Sequence, residues 1–167
     1  MRTSGRLVGV VCVVLSAIGL FCCALSVNIP LESGQPPISA ESVTEISMER
    51  RCFGCDREFK VTLKRDGAAT RAVFGNARQG TVDRQMAAVV TPAAFDDLAR
   101  FIAAQGFDQL LDEYRDPRVA DGEWVVTTVT AGGRQKSVLD RNGTAPATLQ
   151  RIQARIEGVV AALSWKE

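Results

Sequence analysis

No histidine occurs anywhere in the 167 residues. Its absence removes the commonest general base at neutral pH and the commonest metal ligand, so Ser-His-Asp and Cys-His catalysis are excluded in their usual forms. Aromatic residues are scarce, at 6% with one tyrosine and two tryptophans. Tyr114, Trp124 and Trp165 are therefore better read as packing residues than as a set lining a ligand site. An excess of charge is missing too. The formal net charge is +1, and setting aside Arg2 and Arg6 in the N-terminal segment leaves 18 basic against 19 acidic residues. That balance offers no electrostatic footprint for nucleic acid or anionic lipid, and no nucleic-acid partner is expected. Cysteine is almost confined to residues 1–27; beyond them only Cys52 and Cys55 occur.

What is present begins with a run of 21 uncharged residues, 7–27, preceded by Arg2 and Arg6 and followed first by Glu32. Positive charge before the run and none directly after it place the rest of the chain outside the cytoplasm, periplasmic or secreted. Two readings stay open. Ala24-Leu25-Ser26 supplies the small residues of a signal-peptide cleavage site, whereas the length of the run suits a retained membrane anchor. Lipidation at Cys22 or Cys23 is disfavoured by Phe21 and by the adjacent cysteines. Residues 28–42, with Pro30, Pro36 and Pro37 among Ser, Gly and Gln, read as a semi-extended spacer. Residues 43–167 then form one domain, about 125 residues long.

Within it, residues 43–49 alternate as a first strand with Ile46 and Met48 on one face. After a corner at Arg50-Arg51-Cys52-Phe53-Gly54-Cys55, the residues Phe59, Val61 and Leu63 lie two apart in a half-buried strand. Asp66-Gly67 turns the chain into a third strand over 70–74, and a fourth is expected near 81–87. Thr91 caps a helix that opens on Pro92, with Phe95, Leu98, Ala99 and Ile102 on one stripe and Gly106 as the stop. A Val- and Thr-rich hairpin, 124–130 and 135–140, bends at Gly132-Gly133. Pro146 opens a closing helix striped by Leu149, Ile152, Ile156, Val159, Val160 and Leu163. The expected fold is α+β: a largely antiparallel sheet of about six strands, in the order ββββαββα, with two helices on one face.

Several of these residues, taken as an ordered set, resemble an uncharacterised bacterial family. They are Arg51-Cys52-Phe53-Gly54-Cys55, Phe59, Asp66-Gly67, Tyr114, Asp121, Thr127-Thr128, Lys136, Val138, Pro146 and Trp165. That family is a domain of unknown function found in exported proteins and lipoproteins and marked by a Cys-Phe-Gly-(Thr)-Cys-Pro motif. This chain departs from it in having one residue fewer between the cysteines and Asp56 in place of the proline. The resemblance implies a fold and a compartment; it implies no activity.

Cys52 and Cys55 are the one pair with chemical content. Outside the cytoplasm, cysteines three positions apart are expected to form a structural disulfide. A redox-active pair is the sharper alternative, with Arg50, Arg51 and Arg57 available to lower a thiol pKa. A metal site is poorer, because two cysteines are half of a zinc set and no histidine completes it. The acidic stretch Asp108, Asp112, Glu113, Asp116, Asp121 and Glu123 lacks the pattern of a calcium loop and reads as a solvated surface loop. The same stretch fixes no separation between two carboxylates for sugar hydrolysis. Asn142-Gly143-Thr144 matches a glycosylation acceptor but makes equal sense as a turn, which is the favoured reading. No catalytic residue, cofactor or metal is expected. The reading is a non-catalytic exported module that binds a protein or small molecule in the cell envelope, touching membrane only through residues 7–27 if these are retained. An extracytoplasmic thiol-disulfide protein acting through Cys52 and Cys55 is the alternative.

Overall fold

Alternation on the first strand organises the architecture. The structure, a computed structural model, describes residues 37–52, 58–119 and 121–167, which belong to one compact unit, Gln35–Glu167. Strand β1 (Val43–Cys52) turns Ile46 and Met48 into the core, both with no exposed surface, while Ser47 between them and Glu49 after them point the other way. It sits mid-sheet, antiparallel to β2 (Phe59–Lys64) on one side and to β6 (Glu123–Ala131) on the other. β2 continues through β3 (Ala68–Val73) to β4 (Arg84–Val89), and β6 pairs with β7 (Arg134–Arg141). A two-residue strand, β5 (Glu113–Tyr114), runs parallel to β7 at the far edge. The order across the sheet is β4-β3-β2-β1-β6-β7-β5.

The turns follow their residues. Gly67 adopts φ 95°, its N–H reaching Lys64 O at 3.1 Å, and Asp66 Oδ1 accepts from Ala68 N at 2.9 Å. Gly132 and Gly133 both hold positive φ, 56° and 75°, as the tight turn between β6 and β7 requires. Helix α1 (Pro92–Ala104) is capped by Thr91, whose Oγ1 accepts from Ala94 N at 3.2 Å, and buries the expected stripe of Phe95, Leu98, Ala99 and Ile102. Gly106, at φ 65°, ends the helix, and Phe107 is fully buried behind it. Helix α2 (Ala147–Ala161) buries Leu149, Ile152, Ile156 and Val160, leaving Arg151 and Arg155 exposed. The core alternates along each strand on one side of the sheet only: Val61 and Leu63 on β2, Val125 and Val129 on β6, and Val138 on β7. Both helices pack against that side.

The α+β class and its largely antiparallel sheet are as expected; the strand count is not. Among the described residues the sheet has seven strands instead of six, because part of the acidic stretch read as a loop adds β5. Lys136, on β7, draws that segment in: its Nζ donates to Leu110 O at 2.8 Å and pairs with Asp112, and Leu139 N–H donates to Asp112 O at 2.9 Å. These cross-chain bonds leave no periodic trace in a two-residue strand. The fourth strand lies at Arg84–Val89, starting three residues later than expected, after a single 3-10 turn over Ala77–Gln79. The expected spacer is described only at its end, where Ala40–Ser42 form another 3-10 turn and Ile38 and Ala40 pack against the core. Among the described residues no helix is long and apolar enough to cross a membrane, and the leader expected over residues 7–27 lies outside them.

Gly158 lies within α2, exposed, with open space where a Cβ would stand. Gly158→Ala therefore removes backbone entropy from the unfolded chain without a clash. It is expected to stabilise the domain by about 0.8 kcal/mol, read as a higher midpoint in urea unfolding with unchanged slope.

Candidate functional site

The corner carrying the cysteine pair is described on its β1 side. Cys52 is the last residue of that strand and lies opposite Glu123 of β6 in register. It therefore ends a strand instead of opening a helix, so the helix-dipole stabilisation that lowers a reactive thiol's pKa in thioredoxin-type sites is not supplied by a helix of its own. Cys55 and Arg57 lie outside the described residues.

The two arginines beside Cys52 are engaged by carboxylates. Arg50 points to the helix-covered side, where one guanidinium nitrogen pairs with Glu123 and the other with Glu157 of α2 at 2.6 Å. Arg51, on the opposite side, holds Glu49 at 3.0 Å and Glu58 at 3.3 Å, and its guanidinium carbon lies 3.3 Å from the centroid of the Phe74 ring. Four glutamates thus offset the two positive charges of Arg50 and Arg51, so among the described residues neither arginine is left over to favour a thiolate. The Arg50 pairs connect β1, β6 and α2, so the network works as a clamp between the sheet and the closing helix.

At the other end of β1 an open, shallow groove of about 510 Å³ is lined by Thr44, Glu45, Lys64, Arg65, Asp66 and Thr130. Its most prominent cation already has partners. Arg65 donates to Val43 O, Ala40 O and Asp96 Oδ1, each at 2.6 Å, and fastens the entering chain to α1.

The acidic stretch does not converge. Asp112 pairs with Lys136, Glu113 with Arg115 at 3.5 Å, Asp116 with Arg118 at 2.7 Å and Glu123 with Arg50. These four carboxylates pair with four different cations, so they are not organised around a shared ligand. Asp116, held by the Arg118 side chain and then by its backbone N–H, has its carboxyl below the ordinary value, and Arg118 is raised in turn.

The three large aromatics are likewise dispersed. Tyr114 packs against the core and its hydroxyl accepts from Leu111 N at 3.1 Å. Trp165 packs against the core near the end of α2, its indole N–H donating to Val160 O at 3.0 Å. Trp124 lies opposite Arg51 on the sheet side that the helices leave uncovered. Asn142-Gly143 forms a turn, with φ of 57° and 66° and Thr144 N–H donating to Arg141 O at 3.3 Å. The buried Asp140 accepts from Ala145 N at 3.0 Å and sets the chain for α2.

Residues overlooked in the sequence are structural clamps, Arg65 and Asp140, and Lys136, noted only for the resemblance, is a third. Only Asp140 carried a signal, a carboxylate directly after Val138-Leu139 that must find a partner when buried, whereas Arg65 and Lys136 lie in polar runs and carried none.

A sequence family described as a domain of unknown function (DUF6438) matches residues 44–160. No curated protein matches the chain.

Arg50→Ala is expected to lower stability by about 1 kcal/mol, since it removes the cation that Glu123 and Glu157 share. A double-mutant cycle with Glu157→Gln, followed by urea unfolding, isolates the strand-to-helix part of that loss. In an NMR titration the Asp116 carboxyl should lose its charge only at a pH below its ordinary value. In Arg118→Ala its midpoint should rise. A depressed carboxyl contributes above the unfolded pKa, and the contribution disappears as pH falls through the folded one.

Proposed function

Because the chain belongs to this family of unknown function, we propose a reading built from its own geometry: a non-catalytic, exported cell-envelope domain that acts as an interaction module. In it Cys52 and Cys55 are joined by a structural disulfide, and the domain lies in the periplasm or is secreted, held to the membrane only if residues 7–27 are retained. The observation that carries the reading is the setting of Cys52. It closes a strand, and the neighbouring Arg50 and Arg51 are both engaged by glutamates. Such a site supports a fixed corner better than a nucleophile. The uncovered side of the sheet is the surface this module would present to a partner. The basic run-in before an uncharged stretch supports the compartment.

The test is a thiol count on the folded protein with and without reductant, followed by the Cys52→Ala, Cys55→Ala double variant. A structural bridge predicts two thiols that appear only on reduction and denaturation, and a loss of about 2 kcal/mol in the variant. It also predicts no turnover of a disulfide substrate by the wild type. Turnover that disappears in the double variant while the fold persists would instead establish the thiol-disulfide alternative.

A further inference from the structure

The sheet side that the helices leave uncovered has a charge pattern that fits itself. Lys60 and Lys64 stand on β2, and Glu49 and Glu45 stand opposite them on β1, at 3.7 and 3.9 Å. The lysine side chains are half-exposed, at 50%. Between the two charged rows Ser47 faces Thr62. The hydroxyl row continues outward to Thr70 on β3 and to Thr128 and Ser137 on β6 and β7. One column is therefore positive, its neighbour negative, and the row through the middle is made of short side chains that let another sheet approach to about 10 Å.

We propose that this side binds a second copy of the chain, in a face-to-face pair whose two-fold axis runs parallel to the strands, midway between β1 and β2. This inference names the partner of the interaction module and rests on that reading. An axis in that position lays the Lys60 and Lys64 column of each copy on the Glu49 and Glu45 column of the other, and Ser47 on Thr62. One strand further out it lays Thr128 on Thr70 and Val126 on Ala72, and at the Cys52 end Arg51 on Glu58. Every charged row finds the opposite sign. Turning the axis across the strands instead puts β1 on β1 and β2 on β2, glutamate on glutamate and lysine on lysine, which costs affinity. The charge pattern thus selects one isologous arrangement. Strand and residue spacings give the central strands roughly 600 Å² of facing area per copy, at the low end for a specific interface. The pair is a weak, reversible dimer, strengthened at low salt.

The experiment is sedimentation of the full chain in mild detergent, alone and in mixtures, with circular dichroism as the control for folding. Wild type is expected to dimerise reversibly, and its dissociation constant to rise at least ten-fold from low to high salt. Lys60→Glu with Lys64→Glu makes both columns negative, and Glu45→Lys with Glu49→Lys makes both positive. Each variant alone is expected to be monomeric, and an equal mixture of the two to pair again as a heterodimer. A wild type that stays monomeric, a dimer indifferent to either reversal, or one that tightens with salt overturns the proposal. If a variant does not fold, the wild-type salt dependence decides the matter. A monomer whose cysteines still form an inert bridge removes this partner and leaves the interaction-module reading intact, so the two failures are distinguishable.

Discussion

Everything in this domain depends on β1 being committed on both edges and divided between its two sides. It pairs with β2 from Glu45 to Arg50 and with β6 from Val43 to Cys52. Ile46 and Met48 enter the core while Glu45, Ser47 and Glu49 remain outside it. A shift of register by one residue would exchange those two sets, burying carboxylates and exposing apolar side chains. The register of β1 consequently sets the side on which α1 and α2 pack, and the character of the side they leave uncovered.

The polar clamps reinforce that choice at the borders of the core. Arg65 fastens the entering chain to α1, Arg50 fastens the sheet to α2, and Lys136 brings the Leu110–Asp112 segment onto β7. Each is partly exposed, so each contributes modestly, yet each joins elements far apart in sequence. Their common effect is positional. Arg50, the clamp nearest Cys52, has its charge taken up by Glu123 and Glu157.

Some of this was legible from residue order because the governing interactions are local. The period-two pattern of Phe59, Val61 and Leu63, the 3.6-residue stripe from Phe95 to Ile102, Thr91 before Pro92 and the paired glycines at 132 and 133 each act within a few residues. What escaped was non-local. A two-residue strand such as Glu113–Tyr114 has no periodicity of its own and exists only because β7 is there to receive it. The carboxylates of 108–123 looked like one feature along the chain, but in space Asp112, Glu113, Asp116 and Glu123 are divided among separate cations.

Residue order by itself determined the class of the fold, the helix that follows Thr91, the tight turns and the absence of histidine chemistry, since these are matters of composition and of contacts between near neighbours. Only the tertiary structure decided which charges cancel, that Arg50 and Arg51 are held by four glutamates, and that lysine and glutamate columns stand side by side on an uncovered sheet. Such relations arise when distant segments are brought into register, and strand pairing sets that register through packing and hydrogen bonds that no single segment contains.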